Sequence, residues 1–183
     1  MSRFRKLTEE VVFQGTLISA ARATFADPSG DTFERDVVHH PGAVVVVPVL
    51  DDGRVLLVRQ FRAAVECDLL EVPAGKRDVD GEPPEETARR ELEEEIGYRA
   101  GKLAPLAEFY NTPGFCDEYT YLFLATELVD LGGNQAVGPE EEAMTIERIP
   151  LERIDALIDG GELQDAKSII GLLLARRLLD AGA

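Results

Sequence analysis

The stretch GKRDVDGEPPEETARRELEEEIGY, residues 75–98, passes from a glycine-bounded loop into a run of Glu, Ala, Arg and Leu. Pro83 and Pro84 suit a helix start and Gly97 suits its stop, so the spacing predicts a helix over 84–96. On that helix Glu91 and Glu95 are four apart and share a face, with Glu94 three residues from Glu91. Like charges at this spacing cost an isolated helix roughly 0.2–0.5 kcal/mol per pair. Cations would relieve that cost, and hard divalent ions such as Mg²⁺ or Mn²⁺ prefer carboxylate oxygens and bridge them to phosphates. The plainer account is a solvated acidic face partly neutralised by Arg89 and Arg90. What separates the two is the order of residues around the helix: a Pro-Ala-Gly entry at 73–75, an isolated Glu82 in the loop, then Arg90-Glu91-Leu92 and Glu94-Glu95.

Upstream, residues 11–26 are rich in Val, Phe, Thr and Ile, and the turn cluster at 27–31 precedes a run from Phe33 to His39, which predicts a small β hairpin layer. Residues 43–50 are nearly all valine, Asp51-Asp52-Gly53 is a turn, and Arg54 to Arg59 resumes the apolar run, which reads as a buried hairpin. Leu69 to Val72 is a further strand, ended by Pro73. Downstream, strands are predicted over 103–110 and 120–128 around the turn-rich Asn111-Thr112-Pro113-Gly114, and another near 144–149. Helices are predicted over 151–158, stopped by Gly160-Gly161, and over 166–179 with Asp165 as N-cap. Mixed strands with few helices give an α+β class. The division expected is an N-terminal β layer, residues 1–40, followed by the main domain, residues 41–183.

A chain of 183 residues supports one well-buried core, and 45% hydrophobic with 30% charged residues is a globular balance. Nineteen Lys and Arg against 35 Asp and Glu leave a net charge of −16, which argues against nucleic acid as a partner. An acidic protein that binds an anionic small molecule must supply local cations, and bound metal ions do so. No stretch reaches membrane-spanning length and the first twenty residues lack a signal-peptide core, so a cytoplasmic protein is expected. Cys67 and Cys116 are far apart without a ligand pattern and are expected to be free thiols.

The segment 75–98 resembles the Nudix box: a glycine, five residues, Glu, seven residues, then Arg-Glu-apolar-x-Glu-Glu-x-Gly-apolar. Glu82, Arg90, Glu91, Leu92, Glu94, Glu95, Gly97 and Tyr98 match; Gly75 stands one residue too far from Glu82, so the loop carries one extra residue. The resemblance implies a Nudix-type α/β/α sandwich with a mixed sheet. It also implies two or more Mg²⁺ (or Mn²⁺) ions held by Glu91, Glu94, Glu95 and the carbonyl of Ala74, with Arg90 orienting the glutamates. Beyond the box, residues 37–43, 59–62, 70–75 and 111–115 are similar to ADP-ribose pyrophosphatases, whose subgroup is marked by a proline sixteen residues past the box glycine, here Pro113. That likeness implies substrate contacts at Arg62, Arg59, Pro113 and Gly114, and adenine stacking by Phe33 or Phe13 across a homodimer; an ordinary packed phenylalanine is as good a reading. In relatives an acidic loop brings a metal ligand and the catalytic base. Glu142 is the nearest match here and Glu140 the next, within Glu140-Glu141-Glu142. His39 and His40, pointing to opposite sides of a strand, are expected to be structural. The activity implied is cleavage of ADP-ribose to AMP and ribose 5-phosphate. Its rivals are hydrolysis of GDP-mannose or ADP-glucose, or a noncatalytic ADP-ribose sensor.

Overall fold

The structure is a computed structural model that describes residues 3–133 and 142–182. The chain divides into two compact units, residues 1–42 with 109–120, and residues 43–108 with 121–183. The linear division at residue 40 thus omits the 109–120 segment.

The first unit is built on an antiparallel meander of β1 (Arg5–Gln14), β2 (Ser19–Ala26) and β3 (Thr32–His39). The expected hairpin is therefore three strands, because the run from 11 to 26 is broken where the Gly15 N–H closes a turn on the Ile18 carbonyl at 2.9 Å. Every residue of β1 is exposed, so no apolar alternation marks where it begins. At the second turn the Asp27 carboxylate accepts the N–H groups of Ser29 and Asp31 at 2.8 and 2.9 Å, the side-chain mimic of a backbone turn. Phe33 is held within this layer: Phe25 stacks on it with centroids 5.7 Å apart, Phe4 meets it edge-on, and the Arg35 guanidinium lies 4.7 Å from its centroid. The 112–117 turn is fastened to β3 by Val38 N–H donating to Phe115 (2.7 Å) and Asp117 N–H donating to Val38 (3.1 Å). Asp117 also bonds His39 Nδ1 at 2.6 Å and accepts the His40 N–H at 2.9 Å, while His40 Nδ1 accepts the Gly42 N–H.

The second unit contains a four-stranded sheet of order β7-β4-β9-β8 and a three-stranded sheet of order β10-β5-β6. The strands are β4 (Ala43–Pro48), β5 (Arg54–Arg62), β6 (Cys67–Glu71), β7 (Ala74–Lys76), β8 (Tyr98–Tyr110), β9 (Tyr119–Asp130) and β10 (Thr145–Pro150). The outer ends of β8 and β9 belong to the first unit. The buried hairpin expected from 43 to 59 does not form. Past the end of β4 a single Val49–Val55 bridge joins the two segments, and the strands themselves hydrogen-bond into different sheets, β4 into one and β5 into the other. The turn at Asp51-Asp52-Gly53 is present, but strand partners are chosen by residues far along the chain.

The valine run of β4 reflects burial on both faces. Val44 and Val46 join a core with Leu56, Val58, Ala88, Leu92 and Ile96 beneath helix α1 (Pro84–Ile96). Val47 faces helix α3 (Ala166–Gly182), where a Cβ on Gly171 would come 2.9 Å from Val47 Cγ2 and 3.1 Å from Leu122 Cδ1. Gly171 therefore permits the close approach of helix to sheet. Between β10 and α3 lie a 3-10 turn (Leu151–Arg153) and α2 (Ile154–Asp159). Asp165 caps α3 as expected, accepting the Ser168 N–H at 2.9 Å. Among the described residues no helix is long and apolar enough to cross a membrane. Cys67 and Cys116 are both free thiols.

Candidate active site

Helix α1 starts after Pro83, with Pro84 in its first turn, and ends at Gly97, whose left-handed φ of 70° lets its N–H close on the Glu93 and Leu92 carbonyls. Thr87, Ala88, Leu92 and Ile96 are buried, and this fixes the rotation of the helix. Glu91, Glu94 and Glu95 then face a pocket of about 330 Å³ lined also by Gln60, Arg62, Ala74, Gly75, Lys76, Asp78 and Arg90.

Gly75 explains how so many carboxylates fit. A Cβ there would stand 1.9 Å from Glu91 Cδ and 2.1 Å from its Cγ, so only glycine leaves room for that side chain against β7. The extra residue in the loop does not disturb this, since it is taken up after Gly75, where Gly81 turns at φ +76°. Glu95 is buried, and its Oε2 accepts the Ala74 N–H at 3.0 Å. Arg90 sits among the acids as the sequence pattern implies: Nη1 lies 2.8 Å from Glu91 and 3.0 Å from Glu94, and Nη2 lies 3.3 Å from Glu82 and 3.6 Å from Asp78. Burial disfavours its charge, but Glu82, Glu91 and Glu94 outweigh that and raise its pKa. Burial pushes Glu91 up to about 7, with Glu94 adding to the effect and Arg90 opposing it.

Desolvation thus outweighs the nearby Arg90 at Glu91, and a further cation would favour its charged form. Among the described residues no three acidic, His or Cys side chains converge on one point, and Arg90 is the cation they surround. Carboxylate oxygens lining one pocket are a donor set that fits a hard divalent ion better than a soft one.

The opposite wall comes from β5. Gln60 and Arg62 are two apart and share a face, and Arg62 donates through Nε and Nη2 to the buried Glu71, both at 2.7 Å. That pairing raises the Arg62 pKa against the burial that would lower it, and leaves Nη1 outside the pair. Behind Glu71, Lys167 is 2.6 Å from Asp165, and Ser168 donates to Asp165 at 2.6 Å while accepting the Val72 N–H at 2.9 Å. Arg59 lies on the other face of β5, bonded to Glu147 at 2.6 Å, and does not line this pocket.

The remaining expected residues fall elsewhere. Glu142 is exposed, two residues before the buried Met144, and is not among those lining the pocket. Glu140 and Glu141 lie outside the described residues. Pro113 and Gly114 line a groove of the first unit with Phe25, Arg35, Tyr110 and Phe115. Gln60, Lys76 and Asp78, which line the pocket, and Glu71, which holds Arg62, escaped the sequence reading. Gln60 sits inside an apolar strand with no local signal of a site, and Glu71, nine residues from Arg62, betrays no partner in its spacing.

The NUDIX domain model matches residues 38–170. The chain is 40% identical to an ADP-ribose pyrophosphatase of Bacillus subtilis, over 90% of this chain and 88% of that protein. It is 36% identical to an ADP-ribose pyrophosphatase of Mycobacterium tuberculosis, over 93% of this chain and 82% of the relative. A crystal structure described as an ADP compounds hydrolase superposes with a TM-score of 0.85 at 23% identity, covering 100% of this chain and 97% of the other, a likeness of fold.

Proposed function

The chain belongs to the NUDIX family and is a hydrolase of it, and from that premise we propose that it cleaves the pyrophosphate of ADP-ribose into AMP and ribose 5-phosphate. The observation that carries this reading is the pocket in which Glu91, Glu94 and Glu95 face the donor edge of Gln60 and Arg62. One wall suits cations and the other suits anions, which is what a metal-neutralised diphosphate requires.

NUDIX hydrolases generally use divalent cations. Glu91, Glu94, Glu95 and Ala74, with Glu142, are the residues we propose to hold two or more Mg²⁺ or Mn²⁺ ions. When bound, these would screen the diphosphate charge and acidify the attacking water. Arg90 holds the rotamers of Glu91 and Glu94, so it acts on the reaction through them. Arg62, braced by Glu71, presents its remaining N–H groups to phosphate oxygens. Glu142 is proposed as the base that takes the proton from water, with Glu140 as the next candidate. Pro113, Gly114 and Phe33 of the first unit, and Arg59, bonded to Glu147 outside the pocket, are proposed as substrate contacts apart from it. Phe33 would have to leave its stack with Phe25 to receive adenine, so the packed reading fits it better.

The protein is proposed to be a cytoplasmic homodimer. Support for the dimer comes from β1, an edge strand with Leu7, Val11, Val12 and Phe13 all exposed, since a strand of this kind offers unpaired backbone and apolar surface to a partner. The rival substrates are GDP-mannose and ADP-glucose, because the glutamates meet the diphosphate whatever flanks it.

The test is a parallel assay with Mg²⁺ against ADP-ribose, GDP-mannose, ADP-glucose and NADH, with products separated by chromatography. Preferred formation of AMP from ADP-ribose, abolished by EDTA, is expected. A preference for another sugar refutes the substrate assignment, and no metal-dependent hydrolysis of any of the four refutes the catalytic one.

A further inference from the structure

Gln60 is 7% exposed on β5, lines the acidic pocket, and has an Nε2 without a hydrogen-bond partner among the described residues. Buried amide donors are nearly always paired, and leaving one unpaired is costly, so an orphan donor in a pocket wall marks the place of an acceptor that arrives from outside. The pocket's own carboxylates are engaged elsewhere. Glu91 and Glu94 meet Arg90, and Glu95 accepts the Ala74 N–H. Beside Gln60 on the same strand face stands Arg62, two of whose nitrogens are committed to Glu71. The two side chains therefore place donors on one strand face that lines the pocket, with the neutral carboxamide the more deeply buried.

We propose that Gln60 is a substrate-binding residue whose carboxamide N–H donates to a non-bridging oxygen of the diphosphate, next to the oxygen taken by Arg62. The inference rests on the diphosphate-hydrolase reading above and adds to it a residue and a bond. A neutral donor suits this position. It adds no charge to a wall that faces the carboxylates, so it binds phosphate without drawing Glu91 or Glu95 away from a cation. An acceptor-only group is the matching ligand, because the orphan atom is a donor.

The test compares wild type with Gln60→Met, which keeps the length of the side chain and removes the donor, and with Gln60→Glu, which replaces the donor by a charged acceptor. Three quantities are read: kcat/KM for ADP-ribose, calorimetric affinity for inorganic pyrophosphate in Mg²⁺, and melting temperature. For Gln60→Met, kcat/KM and pyrophosphate affinity should each fall about tenfold to a hundredfold, the range for a hydrogen bond to a charged group. Its melting temperature should hold or rise, since an unpaired donor has been removed. Gln60→Glu should lose more on both counts. Unchanged kcat/KM and pyrophosphate affinity in Gln60→Met overturn the proposal. So does weaker ADP-ribose turnover at full pyrophosphate affinity, which moves the bond off the diphosphate, or a loss of function that tracks a fall in melting temperature. If wild type hydrolyses none of the nucleotide sugars yet Gln60→Met still binds pyrophosphate less well, the catalytic reading fails and the Gln60 contact stands.

Discussion

Replacing Gly75 by alanine tests the site through a single methyl group. The new Cβ would lie 1.9 Å from Glu91 Cδ, against an ordinary contact of 3.4 Å or more, so the carboxylate must move by about 1.5 Å or the strand must yield. β7 is hydrogen-bonded to β4 at Val44 and Val45, both fully buried, whereas Glu91 is held only through its side chain. The side chain gives way first. Pushing it off its rotamer costs roughly 0.5–1.5 kcal/mol. That corresponds to a fall of a few degrees in melting temperature for a chain of this size. Catalysis should suffer far more, because misplacing a catalytic group by about 1 Å costs on the order of a hundredfold. The assay is kcat/KM for ADP-ribose at saturating Mg²⁺, with melting followed in parallel. A hundredfold loss with a nearly native melt is expected. Wild-type kcat/KM in Gly75→Ala would refute the placement of Glu91 at the reacting centre.

Glu95→Gln keeps an acceptor for the Ala74 N–H and removes a charge; kcat should fall by orders of magnitude while the melt changes by less than about 3 °C, and unimpaired turnover would remove Glu95 from the proposed ligand set. Gly171→Ala gains about 1 kcal/mol of helix propensity but drives a methyl against Val47 and Leu122, at a cost of about 1–3 kcal/mol, so the melting temperature should drop by a few degrees. A stabilised variant would mean that α3 can back away from the sheet freely. The Asp117 hydrogen bond raises the His39 pKa above its usual 6.5, against burial and with help from Glu9. Protonated His39 therefore contributes stability that is complete below about pH 6.5 and fades as pH rises through the higher folded value. Asp117→Asn should flatten that decline in melting temperature between pH 6 and 9, and an unchanged slope would assign it to other groups.

The parts of this protein written in local chemistry could be read from sequence, and the parts decided by distant residues could not. Pro83, Pro84 and Gly97 bound α1 to the residue because each acts on its own backbone. The placing of Glu91, Glu94 and Glu95 along one pocket, and the pairing of Arg90 with both Glu82 and Glu94, follow from helix spacing and a short loop. β4 and β5 misled because a turn such as Asp51-Asp52-Gly53 reports a reversal of the chain, and the sheet each strand joins is settled by β7, β9, β6 and β10. β1 began earlier than expected because exposure on both faces removes the period-two signal. Gln60 and Glu71 were silent for a third reason. A polar residue in an apolar strand announces burial, but its partner lies across the sheet or in the ligand.

The brace behind Arg62 has a consequence for how the enzyme matures. Glu71 and Val72 stand on one side of it, and Asp165, Lys167 and Ser168, at the start of the last helix, on the other. All the acidic residues of α1 leave the ribosome some seventy residues before Ser168 does. A nascent or truncated chain ending before Asp165 would carry Glu91, Glu94 and Glu95 while Arg62 and Glu71 still lacked this backing. Synthesis of the final helix is thus the step that completes the support of the Arg62–Glu71 pair.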